Sequence, residues 1–294
     1  MNVCTRFLVR FVCWIFGLFP RRWIRGLGRP LGILWFDVLR VRRRVVLDNL
    51  RLAFPEWSES DRIRVGRKSV YKLNEDLVEF FSIPSMNEKW LKTNLVFEGK
   101  EHLIQALEQQ RGVYALSLHL GHGDVAISAL ALNGFKIHLI TKVFKSQWFN
   151  DLWFFVRRVH GAQYIEAHGP KTPFEILKAI RGNETVIFVN DQFMGRPFGI
   201  EVDFFGKKTG TAFGLALFYL KTRSPIVPIY AFERSDGKFH LKIEPPLQLE
   251  HLISDDKEKT YALITQEVTH VIERIVREHP EDWMWVHRRW KSFD

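Results

Sequence analysis

The segment SLHLGHGD, Ser117 to Asp124, sets His119, His122 and Asp124 among two glycines directly after the apolar run VYAL. A carboxylate that accepts a hydrogen bond from one imidazole nitrogen fixes the tautomer and leaves the other nitrogen as a base. Such a pair could deprotonate a substrate hydroxyl for attack on an activated acyl group, with no serine or cysteine nucleophile required. Five residues separate His119 from Asp124, which on one continuous helix is about 500° of rotation and puts the side chains on different faces. The two meet only if His119 lies on a loop and Asp124 on the first helical turn, an arrangement that Gly121 and Gly123 permit. A metal reading would use His119, His122 and Asp124, but the spacing lacks the geometry of helical histidine ligands and no further ligand cluster stands nearby, so no metal is expected. In a third reading the histidines only complete turns and cap a helix.

The elements that must position these residues follow from periodicity. From about residue 93 short apolar runs alternate with helical patterns: NLVFEG, VYALSL, KIHLIT, TVIFVN, PIVPIYAF and FHLKIE read as strands. EHLIQALEQQRG, DVAISALALNG, TPFEILKAI and TAFGLALFYLKT read as helices, and Thr172, Pro173 and Glu175 supply a capping pattern for the third. A last long helix is expected to start near Asp255, with Glu258 three residues on, and to stop at Pro280. Strands alternating with helices of this length imply an α/β layered domain with a mainly parallel sheet flanked by helices. Ligands of open α/β sheets bind beyond the carboxyl ends of the strands, which is where His119 falls. Before this region, residues 37–90 read as a helical lead-in punctuated by Pro55 and Pro84, with Ser58 and Asp61 resembling a capping box.

Charge is concentrated at the start of the chain. Residues 1–51 hold eleven arginines against Asp37 and Asp48, so they carry nine of the ten net positive charges. A basic footprint of this kind points to an anionic surface, either phospholipid or nucleic acid. The arginines are interleaved with Phe, Trp, Leu and Ile, which favours lipid and argues against nucleic acid. The uncharged run Phe11 to Pro20 is about half of the ~20 residues needed to span a bilayer. Residues 1–36 are therefore expected to form an amphipathic, shallowly inserted membrane anchor on an anionic membrane surface, and residues 37–294 one α/β domain. FPRRW lacks the small-residue site of a cleaved signal peptide. The cysteines, Cys4 and Cys13, both lie in this segment, so no disulfide framework is available to the rest.

Several blocks together resemble the lipid A biosynthesis acyltransferase family: RVVLDNLRLAFP, HLGHGD as an H-x-x-x-x-[DE] box, NDQ after a strand, VDFFGKKTGTAFGLALFYLKTRSPIVPIY, and HPEDWMWVHRRWK. They run from about residue 40 to residue 291. The resemblance implies a glycerolipid-acyltransferase-like fold and transfer of a fatty acyl chain from acyl carrier protein to a hydroxyl of a lipid A precursor. It places the enzyme at the cytoplasmic face of the bacterial inner membrane and implies no cofactor. It also implies His119 as general base with Asp124 as its partner, Asp191 and Gln192 near the site, and Arg158 or Arg157 holding a phosphate or a developing oxyanion. Other acceptors, such as another glycolipid or a lysophospholipid, and a non-catalytic lipid-binding role remain alternatives. WMWVHRRW is expected to pack structurally, with Arg288, Arg289 and Lys291 available to phosphate or an acidic carrier protein. Phe204, Phe205, Phe213 and Phe218 are expected in the core or along an acyl groove. The chain departs from the family pattern at Gly123, where an aromatic residue often precedes the acid. It departs again in its ending, at Asp282, Trp283, Val286 and Trp290, where the family commonly reads closer to PEQYMWLHRRFK.

Overall fold

The computed structural model describes residues 3–293. Its first helices are α1 (Val3–Leu18), α2 (Arg21–Ile33), α3 (Arg43–Ala53), α4 (Glu59–Glu79) and α5 (Glu88–Asn94). A π-helical turn, Leu34–Val38, follows α2, and a 3-10 stretch, Phe80–Ser85, continues α4. The α/β region then runs β1 (Leu95–Glu98), α6 (Lys100–Glu108), β2 (Val113–Ser117), α7 (Gly123–Leu132), β3 (Ile137–Thr141), α8 (Gln147–Arg158), β4 (Gln163–Glu166), α9 (Thr172–Arg181) and β5 (Thr185–Val189). It closes with β6 (Gly199–Phe204), β7 (Lys207–Ala212), α10 (Gly214–Thr222), β8 (Ile226–Glu233), β9 (Phe239–Ile243) and α11 (Lys257–Glu278).

Seven strands form one sheet in the order β1-β9-β8-β2-β5-β3-β4. Every neighbouring pair is parallel except β8 and β9. This is the mixed α/β fold with a mostly parallel, helix-flanked sheet that periodicity implies. The central strands β2 and β5 are buried along almost their whole length, as strands covered on both faces must be. Their register pairs Ser117 with Val189, so the segments that follow both strands leave the sheet side by side. The hairpin β6–β7, which periodicity leaves unassigned apart from Thr211 and Ala212 at the start of the helix TAFGLALFYLKT, is a separate two-stranded ribbon. Residues 147–166 carry a helix and a strand that periodicity leaves unassigned.

The capping expectations divide. Ser58 accepts the Asp61 amide at 3.1 Å and starts α4. The cap of α11 is Asp256, not Asp255, and it takes the Glu258 and Lys259 amides at 2.9 and 3.2 Å. At α9 the N-cap is Lys171, and Thr172 turns its hydroxyl to the Glu166 carbonyl instead.

Residues 1 and 2 of the expected anchor lie outside the described residues. No helix among the described residues is long and apolar enough to cross a membrane. The segment's two helices are docked onto the rest of the chain. Gly28 on α2 approaches α4 so closely that a Cβ there would lie 2.4 Å from the Glu75 Cα. Arg21 and Arg25 reach the buried Glu79 at 2.6 and 3.3 Å, and Arg25 also reaches Glu75 at 2.6 Å and Glu233 at 2.8 Å.

Candidate active site

A cavity of about 1010 Å³ lies across the carboxyl ends of the central strands. Ser117 to Asp124, Thr141, Arg157, Val189, Asn190, Gln192, Trp283, Met284 and His287 line its polar floor. His119 leaves the end of β2 on a loop, as expected, and Gly121 turns the chain with φ +52. A Cβ at Gly121 would sit 2.6 Å from the Ala231 carbonyl oxygen, so sterics as well as backbone angle demand glycine.

The carboxylate that engages His119 is Asp191. Its Oδ1 lies 2.7 Å from His119 Nδ1, and its Oδ2 accepts the His119 backbone amide at 3.0 Å. Trp283 Nε1 donates to the same Oδ2 at 2.7 Å. The expected hydrogen bond of His119 to Asp124 is thus replaced, and strand order explains why. β2 and β5 are adjacent, so the residues after each strand meet without help from the turn. Asp124, on the first turn of α7, faces α8 instead. There it pairs with Arg157, Oδ1 to Nε at 2.7 Å, a contact too bent for a hydrogen bond, while Nη2 donates to Oδ2 at 3.1 Å. Asp124 therefore holds the arginine that faces the cavity, and its charge still favours the protonated form of His119. Arg158 turns away, its guanidinium over the Phe154 ring at 5.3 Å.

Burial disfavours a charged His119, but the charge and hydrogen bond of Asp191 outweigh it and hold the imidazole above its ordinary pKa. Burial likewise opposes the Asp191 carboxylate, yet His119, its amide and Trp283 bring it down to about 2. This places the proton on Nδ1 and leaves Nε2 facing the cavity. Gln192 lies within reach of that nitrogen: its Nε2 is 3.1 Å from His119 Nε2 and 2.9 Å from His287 Nε2. His287 is brought down to about 4 by burial and by the neighbouring His119, so it stays neutral and accepts. The sequence pattern gives WMWVHRRW a packing role, with its arginines available to phosphate or a carrier protein, and assigns no role to His287. Its only signal there is a histidine inside an otherwise structural aromatic segment.

That block builds the floor. Met284 donates its amide to the His119 carbonyl at 3.1 Å, and Gly121 donates to the Asp282 carbonyl at 2.9 Å. Asn49 on α3 fastens the carbonyls of Trp285 and His287 at 2.7 and 2.6 Å. Arg289 is not available to phosphate or a carrier protein. It is 1% exposed and donates to the Gly210 carbonyl at 2.6 Å, and burial lowers it to about 10. Phe204 and Phe205 are core residues, whereas Phe213 and Phe218 line the cavity.

His122 is buried and, kept neutral by burial and by Arg25 and Arg21, it does not join His119. Its ring approaches Asp76 and Glu79 within 4.8 Å, a spacing open to a metal ion. The Glu79 carboxylate, however, is already engaged by both guanidinium groups, which compete with a cation for its oxygens.

The family model for bacterial lipid A biosynthesis acyltransferases matches residues 1–292. The chain belongs to that family. It is 25% identical over 278 residues to a lipid A biosynthesis acyltransferase of Haemophilus influenzae, covering 94% of this chain and 84% of that one. It is 24% identical over 288 residues to the lipid A biosynthesis lauroyltransferase of Escherichia coli, covering 96% and 89%. A phosphatidylinositol mannoside acyltransferase of Mycobacterium tuberculosis is 26% identical over 216 residues, 72% of this chain and 66% of that one. The family adds an acyl-transfer context to a site whose imidazole, carboxylate and apolar cavity already suit it.

Proposed function

We propose that the protein moves a fatty acyl group from the thioester of acyl carrier protein to a hydroxyl of a lipid A precursor, at the cytoplasmic face of the inner membrane. The observation that carries this reading is the buried Asp191 carboxylate on His119 Nδ1, with His119 lining the polar floor of a large, mainly apolar cavity. His119 Nε2 takes the proton of the acceptor hydroxyl as its oxygen attacks the thioester carbonyl. Asp191 compensates the imidazolium charge that forms. The tetrahedral oxyanion is stabilised by Arg157, held in place by Asp124, and by free amides at the start of α7. The carbon–sulfur bond then breaks, and the departing thiolate takes the proton back from His119. Gln192 must turn aside for the hydroxyl to reach Nε2, and its carbonyl oxygen can then accept from the imidazolium.

The test is acyl transfer by purified protein, followed by mass spectrometry with a carrier-protein thioester and precursor. His119→Ala is expected to lower kcat/KM about 10²- to 10⁴-fold. A variant as active as the parent would overturn the mechanism. A second acceptor class, another glycolipid, is favoured by the relatives named as phosphatidylinositol mannoside acyltransferases. Comparing lipid A from cells with and without the gene separates the two, since only the first reading predicts a missing acyl chain.

A further inference from the structure

The cavity is not confined to one face of the sheet. Side chains alternate along β5, so Phe188 packs with Leu116 and α9–α11, while Ile187 packs with Ala115 and α7 on the opposite face. Both Phe188 and Ile187 line the cavity, and so do Ile140 and Leu139, their counterparts on β3. Over the first face the wall is made by Ile176, Leu177, Leu217 and Phe218 of α9 and α10. Over the second it is made by Ile127 and Leu130 of α7 with Phe80 and Trp153. Lining residues run from Gly214 to Lys221 on one helix and from Gly123 to Leu130 on the other, about 10 Å each at 1.5 Å per residue. His119 and Asp191, following the two central strands, sit where the two wings meet.

We infer that the wings hold two hydrocarbon chains at once, the transferred acyl chain between α9 and α10 and a chain already borne by the acceptor lipid beside α7. This rests on the acyl-transfer reading above. A chain whose carbonyl carbon lies at His119 can descend over one face only, because the hydrogen-bonded strands bar passage to the other. The remaining wing would then expose apolar wall to water unless the second substrate brings a chain of its own. The α7 wing is the one continuous with the N-terminal helices. Phe80 belongs to the 3-10 stretch on which α1 packs, with Phe16 and Phe81 rings 5.9 Å apart. At its rim Val143, Phe144 and Trp148 stand exposed. A lipid leaving a membrane therefore meets this wing first, and the carrier-borne chain takes the other.

Leu217→Trp and Ile127→Trp, each in the full chain, test the assignment by filling one wing. Initial rates are measured with carrier-protein thioesters from octanoyl to palmitoyl, and with precursors bearing full-length or shortened acyl chains on the same head. Leu217→Trp is expected to shift the donor optimum to shorter chains by at least two carbons, with the acceptor preference retained. Ile127→Trp is expected to raise the KM for full-length acceptors about tenfold, to recover with shortened ones, and to keep the donor optimum. Rescue by a shorter chain is a readout that misfolding would not produce. The milder Leu217→Phe and Ile127→Phe carry the test where the tryptophan variants do not fold. Both substitutions moving the same profile, the reverse pairing, or no change in either profile would overturn the two-chain assignment. Absence of transfer by the parent protein would instead sink the acyl-transfer reading.

Discussion

Asp191 sets the charge state of His119, and this can be separated from a merely structural role by pH. With the carboxylate in place the imidazole titrates above its ordinary value, and the neutral, proton-accepting form grows as pH rises through that value. Acid-side activity should therefore rise with pH along a limb lying above about 6.5. Asp191→Asn removes the charge that outweighs burial, leaving burial and Arg157 to favour the neutral ring against the smaller opposing effect of Asp124. The limb should move to lower pH while kcat/KM falls about 10²- to 10⁴-fold, because the tautomer is no longer fixed and the imidazolium no longer compensated. A pH–rate profile checks this; a lowered rate on an unmoved limb would leave Asp191 only a scaffold. The place of His119 at the cavity was legible in the sequence because ligands of open α/β sheets bind beyond the carboxyl ends of the strands, where this histidine falls. Its partner was not, because H-x-x-x-x-D is a local pattern, whereas the pairing that forms depends on which strand lies next to β2. His287 was hidden for the same reason, reaching Gln192 only after the C-terminal block folds against the loop that follows β2.

Among the elements, those with continuous apolar runs were read correctly: β2, β5 and β8 are buried on both faces, and burial leaves its mark on composition. The ribbon β6–β7 was not, since KKTGTA is short, polar and small, and its β structure comes from pairing with GIEVDF. The N-terminal segment was read as amphipathic, but not that α2 would be fastened to α4 through a glycine contact and an ion network. That fastening is testable at Gly28, where any side chain meets the backbone of α4. Gly28→Leu should force the helices apart and cost about 1–3 kcal/mol, as overpacking of a close contact does. Gly26, on the same helix with open space around it, is the control: Gly26→Ala should hold stability or raise it by up to about 1 kcal/mol. Urea unfolding of both variants decides the matter, and equal midpoints would mean that α2 is not held at this point.

For the whole molecule the decisive feature is that the first two helices present their apolar stripes outward. Phe7, Phe11, Trp14 and Leu18 are exposed on α1 at helical spacing, and Trp23, Leu27 and Leu31 on α2. Buried Val9, Cys13 and Ile24 face the protein, so the outward stripe is additional apolar surface rather than the packing face. Arg10, Arg22 and Arg29 are exposed on the same helices. A stripe of this kind bordered by cations suits the interface of an anionic bilayer, with the apolar residues below the headgroups and the guanidinium groups among them. The helices have 16 and 13 residues, too short for an upright span, so the expected contact lies in the plane of the membrane. Full-length protein should then bind vesicles containing phosphatidylglycerol more tightly than pure phosphatidylcholine ones, and the difference should shrink as salt is raised. Replacing Arg22 and Arg29 by alanine should cost about 1 kcal/mol each, roughly thirtyfold in binding together. Trp23→Glu should weaken binding to both kinds of vesicle, because it removes an apolar contribution that neither salt nor lipid charge affects, and it adds a carboxylate that anionic lipid further repels. Cosedimentation with the two vesicle types measures all three effects. Equal binding by the parent and Trp23→Glu would place the membrane contact elsewhere on the protein.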